Sequence, residues 1–362
     1  MKKHLAKLQP VIGFIVSLIL IYFVLFRPKI SAFFSGEMGS KEAFFGYPRL
    51  GFSDLAVAFS EIIIWPIVVS FFILILSLVV RAWRWQIIIE PVGKASFWSL
   101  FHATNVGYLL NNVLPLRAGE IIRGVVVARK NNLSVSSLIS TVVIERVFDL
   151  GGLAIAFGIV FLGFPFPVWM QIAGGVIAGV ILLFLIVAFI LAGSTERLTR
   201  WQEKLDAKNQ GFFVKLFEQV IKLIHGLQVV RNPRAMIHMT WSTLSLWAMY
   251  FVVMKLVLDA FSLTDGTYPL LAGGAWIQSA ALTLITALGF SIPSAPGGIG
   301  TYHASVLLGM SWFEVPEAMG VIVGTTMHAF NYITLSMFGI IGVFFMKLKW
   351  SDLIKKAKDK ET

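Results

Sequence analysis

The sequence contains no cysteine in 362 residues, which excludes disulfides and thiolate metal sites. Charged residues are scarce as well, at 14% of the chain, where a soluble globular domain carries roughly a quarter. The six histidines are scattered and show no H-E-x-x-H or comparable ligand spacing, so no metal is expected. No P-loop or Rossmann glycine spacing occurs, so no cofactor is called for and ATP drive within this chain is not expected. What fills the sequence instead is apolar. Hydrophobic residues make up 57%, mean hydropathy is +0.82, and several runs reach the ~20 residues that cross a ~30 Å hydrocarbon core. These values place the chain among all-α polytopic membrane proteins.

Positive charge is in excess, at a net +11, but its placement argues against nucleic acid. Basic residues cluster between apolar runs and at both ends, the positive-inside pattern of cytoplasmic loops. The N-terminal "MKKHLAKLQP" followed by "VIGFIVSLILIYFVLF" imitates a signal peptide. No small-x-small cleavage site follows, so the run reads as an uncleaved first span. A multi-pass protein of the cell membrane with both termini cytoplasmic is expected.

The apolar runs predict spans at about 11–26, 56–80, 136–163, 168–192, 236–258 and 318–346, or about six full transmembrane helices. They form a single transmembrane domain over 1–362, with a first half to about 192 and a second half over about 236–346. Between the halves, residues 194–235 hold eight Lys and Arg against four Asp and Glu, which predicts a cytoplasmic linker. Within it, "FFVKLFEQVIKLIHGL" has helical apolar spacing and is expected along the membrane surface. Residues 27–55 read as an external loop. Span two ends in "RAWRW", where Arg81 and Arg84 mark the cytoplasmic face and Trp83 and Trp85 suit the interface.

Two stretches do not read as simple spans. The apolar part of 96–114 is interrupted by polar residues and stops at Pro115, which predicts a re-entrant pair entering from the cytoplasm. The tail from 347 to 362 is basic, hence cytoplasmic, so the last span begins outside and everything from 259 to 317 starts and ends outside. That interval holds an apolar run (270–292), the break "SIPSAPGGIG" and a helix of about 14 residues, near 21 Å and too short to cross. It therefore reads as a second hairpin, dipping from outside. Pro115–Gly119 and Pro296–Gly300 are thus both P-x-x-x-G breaks entering from opposite faces, as in inverted repeats that build a midplane site from discontinuous helices. The alternative is a pattern that occurs twice by chance.

Backbone cannot break inside hydrocarbon unless its freed groups face protein or water, so "NNVLPLRAGEIIRG" implies a polar surrounding. Asn111 and Asn112 can bond the backbone before Pro115, Gly119 relaxes the turn, and Glu120 falls in the first turn of the next helix, where the dipole favours a carboxylate. Arg117 and Arg123 can hold a phosphate; the competing reading is a capped interfacial helix whose arginines snorkel to headgroups. In "VIERVFDL", Glu145 and Asp149 lie roughly 13 and 20 Å along span three, on one face, with Arg146 beside Asp149. Ionisable groups at that depth normally face a bundle interior, as a relay, a substrate contact or a packing ion pair. In "SAPGGIGTYH", the N–H groups of Gly297, Gly298 and Gly300 ahead of a short helix can bind an anion, or the glycines can serve close backbone approach. His303 follows on that helix; His328 and Asn331 lie in the last span, and Trp276 and Gln278 are weaker candidates.

Together "NNVLPLRAGEIIRG", "LISTVVIERVFDL" and "SIPSAPGGIGTYHA" resemble the membrane region of the lysylphosphatidylglycerol synthase family, also called flippase-like, in order and separation across roughly 60–346. The resemblance implies movement of aminoacylated or other polar-headed lipids between leaflets. The bifunctional members continue into a soluble synthase domain. This sequence stops at 362 after a short basic tail, so a stand-alone lipid translocase is expected. The family usually carries Glu where this sequence has His303, which makes an aminoacyl-lipid less secure as substrate and an anionic or glycosylated lipid more plausible.

The expected partners are membrane lipids with a phosphate-containing headgroup, with a lipid-synthesis enzyme and a second copy of the chain as further candidates. The competing functions are an intramembrane lipid-modifying enzyme with Glu145 or Glu120 as general base, and a scaffold for such an enzyme.

Overall fold

The computed structural model describes residues 2–163, 168–193, 232–273, 275–292 and 294–348. The expected surface helix in the linker and most of the basic tail lie outside these residues. In order, the described helices are α1 (Lys2–Leu25), α2 (Ile30–Phe34), α3 (Ser40–Phe45), α4 (Phe52–Ser60), α5 (Ile64–Ile89), α6 (Phe97–Val113), α7 (Ala118–Lys130), α8 (Val135–Gly163), α9 (Val168–Gly193), α10 (Pro233–Ala260), α11 (Trp276–Ser291), α12 (Thr301–Ser311) and α13 (Glu317–Phe345). Helices are the form this composition requires, because in lipid every backbone N–H and C=O must be satisfied within its own segment. Among the described residues the only β pairing is an isolated bridge between Phe26 and Pro48.

Four helices, α5, α8, α10 and α13, are long and apolar enough to cross a membrane. With 24 and 26 residues, α1 and α9 have the length as well, which matches the expected count of about six. Helices α5 and α10 run antiparallel: the Ile63 N–H donates to Ala260 O at 2.8 Å near one end, and the Trp83 ring lies 5.5 Å from His238 near the other. The bundle therefore has a 63/260 end and an 89/235 end.

Apolar clusters at the two ends locate the hairpins. Ile89, Leu100, Val127, Leu138, Ala235 and Met346 share one cluster, so α6 begins and α7 finishes at the 89/235 end. Leu258, Leu271, Ala275, Met310, Phe313 and Ile322 share another, so α11 begins and α12 finishes at the 63/260 end. The hairpins thus enter from opposite ends, and their tips, the 3-10 turns Pro115–Arg117 and Pro296–Gly298, touch each other inside the bundle. Helix α13 packs against both α6 and α12 and forms their common wall. In lipid, apolar area does not drive helices together, so close approach at small residues does. A Cβ on Gly339 would meet Asn105 O at 2.8 Å, and one on Gly342 would meet His102 O at 2.8 Å.

Three boundaries differ from the sequence reading. Residues 56–60 belong to a separate helix, α4, and span two starts only at Ile64. The chain breaks there because Pro66 has no N–H to continue a ladder back to Ile62, and the Ile63 N–H donates to Ala260 O instead. The segment read as a loop over 27–55 carries α2, α3 and the start of α4, and both Arg27 and Arg49 pair with Glu317 at the start of α13. Finally, α5 runs on to Ile89, so Arg81 and Arg84 lie inside a spanning helix and not at its edge.

Candidate functional site

Helix α8 supplies the centre of the site. With its first residue at Val135, Glu145 and Asp149 stand about 15 and 21 Å along the axis at 1.5 Å per residue. Glu145 is fully buried, and an ionised carboxylate there must be met by cations. Arg84 Nη2 lies 3.1 Å from Glu145 Oε1 and 2.8 Å from Asp149 Oδ1. Arg123 Nη2, from α7, donates to Glu145 Oε2 at 2.7 Å. Arg81 Nη1 stands 3.7 Å from Glu145 and 3.9 Å from Asp149. Arg146 Nη1 bonds Asp149 Oδ2 at 3.1 Å, and its Nε lies 2.9 Å from Glu120 Oε2 as a charge contact without hydrogen-bond alignment. Four arginines and three carboxylates from α5, α7 and α8 form one network.

Neutral groups fix the guanidinium planes. Arg84 Nη1 donates to Thr243 Oγ1 at 3.0 Å. Arg81 Nε and Nη2 donate to Tyr250 OH at 2.9 and 2.5 Å, and its guanidinium lies over the Tyr108 and Tyr250 rings, 5.6 Å from each centroid. The Arg123 guanidinium sits 4.7 Å from the centroid of the Trp85 ring, and Trp85 Nε1 donates to Thr141 Oγ1 at 3.0 Å. Aromatic faces strengthen the hold on a desolvated guanidinium.

The two breaks adjoin this network through α7. Gly119 is required by proximity: a Cβ there would overlap Gly107 O and stand 2.7 Å from Asn111 Oδ1. Arg117 adopts φ +52°, a left-handed conformation that costs a non-glycine residue roughly 1 kcal/mol. Its Nη2 donates to Phe290 O at 2.6 Å, satisfying a carbonyl at the end of α11 and joining the first break to the second hairpin. Arg117 and Arg123 therefore have separate partners. Asn112 also departs from expectation. Its side chain bonds Tyr332 O at 3.3 Å and Ser336 Oγ at 3.0 Å, so it ties the break to α13 and does not cap the backbone before Pro115.

At the second break, Pro296 opens the turn and Gly297, Gly298 and Gly300 have φ of +71°, +73° and +92°. The Gly298 N–H is taken by Ala295 O at 3.0 Å, and the Gly300 N–H by His303 Nδ1 at 3.4 Å. A Cβ on Gly300 would stand 2.7 Å from Ser17 O, so this glycine lets α1 pass against α12. His328 Nε2 lies 2.8 Å from Gly297 O, and its ring is 4.8 Å from that of His303. Gln278 bonds Leu270 O at 2.9 Å, Asn331 bonds Met327 O in its own helix at 3.1 Å, and Trp276 is exposed; none of the three joins the site.

The sequence model of the lysylphosphatidylglycerol synthase TM region matches residues 11–339. The chain belongs to this family. Two curated relatives come from Methanocaldococcus jannaschii. UPF0104 membrane protein MJ1595 is 24% identical over 293 residues, covering 78% of this chain and 84% of the relative. UPF0104 membrane protein MJ1078 is 25% identical over 263 residues, covering 70% of this chain and 99% of the relative. No solved structure matches the chain significantly.

For this member of the lysylphosphatidylglycerol synthase TM-region family, the sequence reading placed Glu120, Arg123, Glu145, Arg146 and Asp149 at a common site, and the structure brings all five together. It missed Arg81 and Arg84, taken as interfacial, and their supports Tyr108, Thr243 and Tyr250. Arg84 is fully buried, as is Trp85, which corrects their assignment to the membrane surface. The sequence held no signal that set them apart, because Arg117, Arg123 and Arg146 already equalled the three carboxylates in number.

Proposed function

We propose that this protein moves a polar-headed lipid between the leaflets of the cell membrane, its headgroup passing the network of α5, α7 and α8 while the acyl chains stay in the bilayer. Both termini are cytoplasmic in this reading, with the 89/235 end facing the cytoplasm. The observation that carries it is the gathering of seven ionisable side chains inside the bundle beside two helix breaks that enter from opposite ends. Charged groups at such depth are expensive and mark substrate pathways, and paired discontinuous helices suit alternating access. An intramembrane enzyme finds less support: each carboxylate of the network is held by arginine, leaving none free as a general base.

The test is reconstitution in liposomes with leaflet-specific labelled lipids. Transbilayer movement is expected for the intact protein and at least tenfold slower movement for Asp149→Ala and Arg117→Ala, one breaking the network and the other the join between the hairpins. Movement that survives both substitutions, or no movement by the intact protein, overturns the proposal. Chemical conversion of the lipid in the same vesicles, read by mass spectrometry, would replace it with the enzyme.

A further inference from the structure

Four guanidinium groups in the network, those of Arg81, Arg84, Arg123 and Arg146, face three carboxylates, those of Glu120, Glu145 and Asp149. With all seven ionised, one positive charge is in excess in a region of low dielectric, where an uncompensated charge is strongly unfavourable. The excess has a location. Arg123 Nε and Nη1, Arg84 Nε, Arg81 Nη1, Arg146 Nε and Tyr108 OH are all buried without a hydrogen-bond partner. Interiors leave few such donors unmet, and here four of the six belong to the arginines around Glu145, which takes Arg84 and Arg123 directly. Arg123 is 2% exposed and Arg84 0%.

The carboxylates of the same network are all taken. Glu120 faces Arg146, Glu145 faces Arg81, Arg84 and Arg123, and Asp149 faces Arg81, Arg84 and Arg146. Toward the 63/260 end, Asp259 is taken by Lys255 at 2.5 Å and Glu317 by Arg27 and Arg49. Among the described residues of the spanning helices, every carboxylate already has a basic partner, so a headgroup ammonium would have to displace an arginine to find one.

We infer that the unpartnered donors of Arg123, Arg81 and Tyr108 form a receptor for one phosphodiester monoanion, and that the transported lipid has a headgroup of net negative charge with no ammonium. This rests on the translocase reading and narrows it. An arginine whose remaining N–H groups are free suits phosphate oxygens, and the single excess charge matches the single charge of a phosphodiester. A lysyl-esterified headgroup, whose ammonium groups outnumber its phosphate charge, is selected against by the lack of a free carboxylate.

The test uses the purified full chain in nanodiscs of uncharged lipid, probed with phosphatidylglycerol, phosphatidylcholine, lysylphosphatidylglycerol and inorganic phosphate. Phosphatidylglycerol is expected to bind at least tenfold more tightly than either of the other lipids, with Arg123→Gln abolishing the preference. Because Arg123→Gln can also disturb folding, Tyr108→Phe serves as a second variant: it removes one hydroxyl and is expected to weaken phosphatidylglycerol binding severalfold. Equal binding of the three lipids, or a preference unchanged in both variants, overturns the inference. Inorganic phosphate competing as well as the lipid at equal concentration overturns the lipid assignment in favour of a soluble anion. In the liposome assay, equal movement of phosphatidylglycerol and lysylphosphatidylglycerol removes the selectivity and leaves the translocase standing. Movement of neither removes the translocase itself.

Discussion

A guanidinium held at zero exposure, as in Arg84, is retained only while its neighbours replace the water it has lost. Thr243 and the carboxylates of Glu145 and Asp149 do so here. Removing one member of a buried ion pair leaves the other charge uncompensated and costs about 3–5 kcal/mol. Arg84→Ala is therefore expected to lower stability by that order, read as loss of folded protein on heating in detergent. Arg84→Lys should recover only part, since a lysine keeps the charge but lacks the fork that reaches Thr243 and the carboxylates together. Recovery of full stability with lysine would show that charge alone matters at this position. The carboxylates were legible from sequence because acids inside an apolar helix have no bland explanation. The arginines were not, since a basic pair at the end of an apolar run looks the same whether it meets headgroups or turns inward. Only the length of α5, set by packing on α10, separates the two.

At the scale of elements, both breaks could be read from P-x-x-x-G, because proline removes a donor and glycine relaxes the backbone beyond it. The reason for each glycine could not. Gly119 is fixed by the approach of α7 to Gly107 on α6, and Gly300 by the passage of α1 at Ser17, both tertiary facts. The α4–α5 boundary, by contrast, had a local signal: Pro66 has no N–H to continue a ladder back to Ile62, and Ala260 O takes up the Ile63 N–H at the break. Substitution at the breaks should separate these causes. Gly119→Ala places a methyl against backbone that cannot yield and is expected to cost more than about 3 kcal/mol, in the range kept for severe overpacking. His303→Ala removes the acceptor for the Gly300 N–H and the ring beside His328 and should cost about 1 kcal/mol, as loss of a helix N-cap does, with His303→Asn restoring part of it. Thermal melts of the three variants in one detergent provide the comparison; a Gly119→Ala protein as stable as His303→Ala would mean that α6 and α7 can move apart freely.

At the scale of the whole molecule, the hairpins open at opposite ends, and the chain's own order dictates it. Helix α5 runs from the 63/260 end to the 89/235 end, α6 and α7 return to where they began, and α8 crosses back to set Gly163 against Ile277 at the start of α11. From α10 onward the same logic holds with the ends exchanged: α11 and α12 return to the 63/260 end before α13 crosses. The basic tail and linker made that parity legible without any contact information; the meeting of the two tips was not, because it depends on Arg117 reaching Phe290 O. The absence of native cysteine makes the arrangement directly testable with single-cysteine variants. Lys94→Cys and Ser134→Cys flank the first hairpin, and Asp265→Cys and Glu314→Cys flank the second, all at exposed positions. An impermeant thiol reagent applied to sealed vesicles should label the first pair from one side and the second pair from the other. Labelling of Asp265→Cys and Glu314→Cys from different sides would make α11 and α12 a full crossing, and an 11-residue α12, about 16 Å long, is too short to complete one. Labelling of all four from the same side would leave an even number of crossings among α8, α9 and α10, and would deny the entry of the two hairpins from opposite faces on which alternating access to the network depends.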